Sequence, residues 1–200
     1  ADTLAQIDAP KFAFATVAVG EEPVHAEPYL LSALAMGQAL QEVHSLYPLV
    51  VLVSAWDVKS QRRLKEHCRN CIPRLVSPLH SMPPARRHEL PANWAYAWTK
   101  LHLWDLPYDK VVFLDADVII MKNIDSLFEY PDLTLARNRC GLCCSHALGT
   151  LESYSTGMMV FRPNMQDRAD LSRSLDGAWD SELHAIQYIL DVAAVFPDVD

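Results

Sequence analysis

The chain alternates between short apolar runs and longer segments in which apolar residues recur every three or four positions. Short runs rich in β-branched and aromatic residues predict strands, and the longer period predicts helices. The predicted strands are Phe12–Val19, Leu49–Val53, Ile72–Val76, Val111–Leu114 and Gly157–Phe161. The predicted helices are Pro28–Val43, Val58–Arg69, Trp94–Asp105, a short helix at Ile124–Tyr130 capped by Asn123, and most of Asp176–Val195. This order predicts an α/β fold with a parallel or mixed sheet and helices on its faces.

Two segments lack either period and are predicted to be loops. The first, Ser77–Asn93, contains four prolines and the pair Arg86-Arg87, and its length is typical of a functional loop. The second, Arg137–Ser153, carries glycine and three of the five cysteines. The 200 residues are enough for one domain, so residues 1–200 are expected to form a single domain with a sizeable core.

Composition and charge exclude several classes of function. The net charge is −8 and no stripe of Lys and Arg compensates for it, so a nucleic-acid partner is not expected. No apolar run approaches the ~18 residues of a membrane span. The sequence does not identify the compartment; the absence of any Asn-x-Ser/Thr site slightly favours the cytoplasm over the Golgi lumen.

The cysteines form two groups, Cys68-x-x-Cys71 and Cys140-x-x-Cys143-Cys144. Paired C-x-x-C units are typical of zinc sites when about 15–20 residues separate them, but here the interval is much longer. A zinc site, a disulfide and free thiols all stay open.

The strand Val111–Leu114 ends in two carboxylates, Asp115 and Asp117. In open parallel sheets, ligands bind just beyond the carboxyl ends of the strands. Two acids at such an end can share a hard divalent cation, which in turn binds phosphate oxygens. The leading interpretation is a metal–diphosphate site. The alternative is a strand that simply ends in a polar turn.

Several ordered blocks surround this pair of carboxylates. They are Ser32–Gly37, Thr99-Lys100-Leu101 with Trp104, Asp115-Ala116-Asp117, Asn123-Ile124-Asp125 with Leu127-Phe128, Ser155-Thr156-Gly157 and Arg162-Pro163. Together they closely resemble the glycogenin-like glycosyltransferases of family 8, and the resemblance covers nearly the whole chain in order.

The resemblance implies a GT-A, Rossmann-like fold with a mixed, mainly parallel sheet flanked by helices. It implies that this fold binds a UDP-sugar through Mn²⁺ or Mg²⁺. It also implies transfer of a hexose, with retention of anomeric configuration, to a carbohydrate or glycoconjugate acceptor that it does not identify. Asp115 and Asp117 match the metal ligands, and Asp115 also matches a nucleotide contact. Lys100 matches the lysine that neutralises the diphosphate, and Tyr29 matches the tyrosine that stacks on uracil.

Two further matches are looser. Arg87 in the proline-rich loop matches a donor-contacting arginine, although its distance to Lys100 differs from the family pattern. Asp180 matches a catalytic acid, in a motif where Ser181 replaces the family's Gln. The family's Asn-Ser-Gly is Ser155-Thr156-Gly157 here, and its C-terminal His-x-x-Gly-x-x-Lys has no counterpart before Asp200, so we expect the domain to lack that segment.

Several alternatives remain. A catalytically weak nucleotide-sugar-binding module fits the departures, and a phosphatase of the haloacid-dehalogenase type fits the Asp-x-Asp strand less well, because that class carries the motif near the start of its domain. Lys100 could be a solvated charge and Tyr29 a packing residue. His102 is expected to be a satisfied core histidine, and the stripe Trp94/Trp98/Trp104 is expected to be core. A homodimer is left open.

Overall fold

A computed structural model describes residues 11–20, 23–55, 57–79, 96–138 and 153–176 of the chain. The strands are β1 (Phe12–Ala18), β2 (Leu49–Ser54), β3 (Cys71–Val76), β4 (Lys110–Leu114), β5 (Thr134–Asn138) and β6 (Ser153–Phe161). The α-helices are α1 (Pro23–Glu42), α2 (Val58–His67) and α3 (Met165–Asp176). Two 3₁₀ helices, η1 (Ala97–Asp105) and η2 (Asp125–Glu129), flank β4 in sequence.

The described strands form one sheet in the order β3-β2-β1-β4-β6-β5. The strand β1 pairs in parallel with β2 and β4, and β2 pairs in parallel with β3. The strand β6 is antiparallel to both β4 and β5. The predicted mixed, mainly parallel sheet is therefore confirmed, and the carboxyl ends of β1, β2, β3 and β4 share one edge.

Helices cover both faces of the sheet. On one face, Leu30 and Leu40 of α1 and Phe128 of η2 pack on side chains of the central strands. On the other face, Leu103 and Trp104 of η1 pack against the same strands. Every residue of β2 and β4 is buried, as the uninterrupted apolar runs predicted.

The predicted tryptophan stripe is core where the structure describes it. Trp98 and Trp104 are both buried, and the Trp104 ring stacks on Phe161 with 4.5 Å between centroids. Trp94 lies outside the described residues. Trp98 and Trp104 therefore serve packing and are not available as a sugar platform.

Several predicted boundaries were wrong. The helix expected from Pro28 begins at Pro23, so Pro28 lies inside α1. The helix expected over Trp94–Asp105 is the 3₁₀ helix η1, a distinction that side-chain periodicity cannot make over so few turns. The strand β5 lies partly in the predicted loop Arg137–Ser153, and neither β5 nor α3 was predicted. Of the predicted helix Asp176–Val195 the structure describes only Asp176, which is the last residue of α3. The rest of that helix lies outside the described residues.

The first cysteine group forms a disulfide between Cys68 and Cys71, at the turn that joins α2 to β3. Gly37 of α1 packs directly on it, because a Cβ at that position would collide with both sulfurs. Of the three open interpretations, the structure supports the disulfide for this pair. Cys140, Cys143 and Cys144 lie outside the described residues.

None of the described helices combines the length and the apolar character needed to cross a bilayer.

Candidate functional site

The candidate site lies where β4 ends. The backbone N–H of Asp115 donates to the carbonyl of Gly157 at 2.8 Å, and the carbonyl of Asp115 accepts from Val118 N–H at 3.0 Å. The first bond continues the pairing of β4 with β6, and the second closes a turn over Asp115–Val118. Asp115 is therefore held to the sheet, whereas Asp117 is exposed at the turn.

Gly157 gives the Asp115 carboxylate its space. A Cβ on Gly157 would lie 3.3 Å from Oδ2 of Asp115 and 3.1 Å from Oγ of Ser155. Ser155 Oγ also accepts from the N–H of Gly157 at 3.1 Å. The Ser-Thr-Gly block thus lies against the first carboxylate, on the neighbouring antiparallel strand.

Lys100 reaches the same carboxylate from η1. Its Nζ lies 2.8 Å from Oδ1 of Asp115 and 4.9 Å above the centre of the Phe113 ring. The Lys100 side chain is 21% exposed and that of Asp115 is 36% exposed. Lys100 is therefore not simply a solvated charge, since its ammonium group is paired and partly buried.

The helix η1 that carries Lys100 is attached to the segment that leaves β3. Oγ1 of Thr99 accepts from Leu79 N–H at 2.9 Å, and Nε2 of His102 lies 2.9 Å from the carbonyl oxygen of Ser77. The other ring nitrogen of His102 lies 3.3 Å from Asp105, whose carboxylate lies 3.2 Å from Nε of Arg168 on α3. His102 thus has its polar partners, as predicted, but its side chain is 15% exposed and only partly buried, so it is not the core histidine that the sequence predicted.

Tyr29 on α1 lies near enough to Asp115 and Asp117 for both charges to act on its phenol. Burial of its phenol raises its pKa above the ordinary value of 10.0, and the negative charges of Asp117 and then Asp115 raise the pKa further. The ring also packs against the apolar cluster beneath α1. Tyr29 therefore borders the site and packs at the same time, and its stacking on uracil stays a prediction.

The donor set suits a hard cation. Asp115 and Asp117 offer carboxylate oxygens at one edge of the sheet, and hard divalent cations prefer such oxygen ligands. Within the described residues, no group of three or more His, Cys, Asp or Glu side chains could hold a metal ion. A cation there would take two protein ligands from this part of the chain, and phosphate oxygens or water would complete its coordination. Arg87, Asp180 and Ser181 lie outside the described residues.

The Asn123-Ile124-Asp125 block is hydrogen-bonded to the turn between α1 and β2, a contact that the sequence did not predict. The Asp125 carboxylate accepts from Ser45 Oγ at 2.7 Å and from Leu46 N–H at 2.9 Å. Nδ2 of Asn123 donates to the carbonyl of Val43 at 3.1 Å, and its Oδ1 accepts from Asp125 N–H at 2.9 Å. These bonds clamp the segment that follows Asp117 to the turn between α1 and β2. Asn123 thus bonds to the start of η2, although Ile124 holds the formal cap position.

No family model matches the chain. It is 26% identical to galactinol synthase 6 of Arabidopsis thaliana over 201 aligned positions, which cover 86% of the chain and 57% of that protein. It is 33% identical over 106 positions to galactinol synthase 1 of Ajuga reptans, covering 52% of the chain and 31% of that protein. UDP-glucuronate:xylan alpha-glucuronosyltransferase 1 of Arabidopsis thaliana is 30% identical over 153 positions, which cover 69% of the chain and 19% of that protein. The chain spans little more than half the length of the first relative and less of the other two.

Solved structures share the fold. A crystal structure of the galactosyltransferase LgtC with donor and acceptor sugar analogs superposes with a TM-score of 0.60 at 14% identity, covering 88% of the chain and 70% of LgtC. The glycosyltransferase GlyE of Streptococcus pneumoniae TIGR4 superposes with a TM-score of 0.55 at 17% identity, covering 92% of the chain and 43% of GlyE. The mixed, mainly parallel sheet and its flanking helices are therefore those of the GT-A fold. A particular likeness to glycogenin stays a prediction.

Proposed function

We propose that the chain is the donor-binding part of a glycosyltransferase that moves a hexose from a UDP-sugar to a carbohydrate or glycoconjugate hydroxyl, with retention of configuration and with Mn²⁺ or Mg²⁺. The observation that carries the proposal is the convergence of Asp115, Asp117 and Lys100 at the carboxyl edge of a GT-A sheet. This edge is where open α/β sheets bind their ligands.

The chemistry of the group suits departure of a diphosphate. Negative charge builds on the leaving oxygen as the bond to the sugar breaks, and positive groups placed there lower the barrier. A cation held by Asp115 and Asp117 would act as a Lewis acid on the diphosphate oxygens. Lys100 would donate a charge-assisted hydrogen bond to the same group, from a helix that Thr99 and His102 hold in place.

The names of the relatives support the substrate class. One relative is a UDP-glucuronate:xylan alpha-glucuronosyltransferase, so its named donor is UDP-linked and its named acceptor is a carbohydrate. Others are galactinol synthases. The donor sugar and the acceptor of the present chain stay unassigned.

A catalytically weak binding module is the second candidate. It is favoured by Ser155, which stands where the resembling family has an amide, and by the lack, within the described residues, of a third His, Cys, Asp or Glu that could join Asp115 and Asp117 on a cation. In that case the chain binds UDP-sugar and hydrolyses it slowly or not at all. A phosphatase is disfavoured, because Asp115 follows the fourth strand of the described residues and not the first.

Calorimetry with UDP in Mn²⁺ or in EDTA tests the proposal. We expect tight binding with Mn²⁺ and little without it, because bare carboxylates repel a diphosphate. Mass spectrometry of UDP-hexose incubated with candidate acceptors then separates transfer from mere binding. Equal UDP affinity in both buffers would disprove the metal role, and no UDP affinity in either would disprove the function.

A further inference from the structure

One carboxylate oxygen of the proposed cation site is already engaged by a cation of the chain itself. Lys100 Nζ lies 2.8 Å from Oδ1 of Asp115, while within the described residues Asp117 makes no ion pair. This inference rests on the proposed function, since it concerns how the same site takes up metal and diphosphate.

Lys100 and a metal ion compete for Asp115. An ammonium group at hydrogen-bond distance occupies a lone pair of the carboxylate, and its charge repels a divalent ion nearby. The pair is only partly exposed, so water screens this repulsion incompletely. In the absence of donor, therefore, the lysine opposes metal binding.

A diphosphate removes that opposition. Its oxygens are stronger partners for an ammonium group than a single carboxylate shared with a metal, because they carry more charge and offer more acceptors. Only the end of the Lys100 side chain needs to move, since η1 is fastened through Thr99 to Leu79 and through His102 to Ser77. The ring of Phe113 lies under the ammonium group and is fully buried, so it provides a fixed surface beneath it.

We propose that Lys100 is a built-in counter-ion that holds Asp115 until the donor diphosphate takes over the lysine, so that metal and nucleoside diphosphate bind cooperatively. The coupling is reciprocal, because the factor by which UDP raises the affinity for Mn²⁺ equals the factor by which Mn²⁺ raises the affinity for UDP. The lysine thereby disfavours a metal-loaded site without donor.

The test is a titration of the full chain with Mn²⁺, followed by the electron paramagnetic resonance of free Mn²⁺, with and without UDP. Lys100→Met keeps the length of the side chain and removes its charge. Without UDP we expect this variant to bind Mn²⁺ about tenfold more tightly than the unaltered chain, the effect of removing one charge beside a divalent ion at a partly exposed site. Addition of UDP raises Mn²⁺ affinity in both proteins, and we expect the factor to be several-fold smaller in the variant than in the unaltered chain.

Two controls accompany this variant. Lys100→Arg keeps the charge, so its Mn²⁺ affinity without UDP should stay within about twofold of that of the unaltered chain. Lys122→Met removes an exposed charge from the segment after Asp117, and its Mn²⁺ affinity should also stay within about twofold. Lys100→Gln is a second neutral variant in case the methionine disturbs folding, which circular dichroism will show.

Equal or weaker Mn²⁺ binding by the folded neutral variants without UDP would overturn the counter-ion role while leaving the proposed function intact. If no form of the chain binds Mn²⁺, even with UDP, both the inference and the proposed metal dependence are wrong.

Discussion

Asp115, which directly follows β4, lies against Gly157 in the middle of the antiparallel strand β6. The N–H of Asp115 donates to the carbonyl of Gly157 at 2.8 Å, and a Cβ on Gly157 would lie 3.3 Å from the carboxylate Oδ2. The missing side chain at position 157 is therefore what lets the first carboxylate lie against β6.

Replacing Gly157 with alanine should push the Asp115 carboxylate aside by a few tenths of an ångström. We expect Mn²⁺-dependent UDP affinity to fall about tenfold, because small misplacements of a binding group are costly. Calorimetry measures the affinity. Adding Ser155→Ala removes the other close contact and should restore part of the affinity; unchanged affinity in Gly157→Ala would show that the carboxylate is not confined there.

Replacing Asp117 with asparagine should abolish Mn²⁺-dependent UDP binding and leave the fold intact. The side chain is exposed, so the free energy of unfolding should change by less than about 0.5 kcal/mol. Urea denaturation measures stability, and calorimetry measures binding. Glu129→Gln removes an exposed carboxylate from η2 and is the control for net charge. A large loss of stability would mean that Asp117 is structural.

Lys100→Ala should slow donor turnover more than Lys122→Ala does. A charge-assisted hydrogen bond to phosphate contributes roughly 1.5–3 kcal/mol, so the rates should differ by about tenfold or more. Parallel kinetics of UDP release from a UDP-hexose measure the difference. Indistinguishable rates would contradict the assignment of Lys100 to the diphosphate.

The pKa of Tyr29 should fall when Asp117 is replaced by asparagine. A negative charge nearby raises the pKa of a phenol by opposing phenolate formation, so removal of the charge lets the proton leave at lower pH. The pKa should stay above the ordinary 10.0, because burial is the largest cause of the shift. Ultraviolet titration against a Tyr29→Phe reference measures it. An unchanged titration would show that the ring does not face Asp117.

Asp125→Ala should destabilise the chain by about 2 kcal/mol, because two donors on the turn between α1 and β2 lose their acceptor. Urea denaturation gives the free energy of unfolding. Ser126→Ala, on the exposed neighbouring residue, should change it by less than about 0.5 kcal/mol. Similar losses in both variants would refute the clamp.

The sequence alone determined the buried central strands and the position of the two carboxylates at the end of one of them. The apolar runs around Val51 and Val112 predicted buried central strands, because only a strand covered on both faces needs no alternating polar residues. The Asp-Ala-Asp block placed two acids at a strand end. These are local properties of the chain, and a local pattern is enough to predict them.

Only the tertiary structure decided which side chains meet those acids. Lys100 lies fifteen positions before Asp115 and Gly157 lies forty-two after it, and neither contact follows from spacing. The strand order β4-β6-β5 brings Gly157 to Asp115, and the packing of η1 brings Lys100 there. Strand register and helix packing depend on the burial of the whole core, so no single segment carries the information that assembles the site.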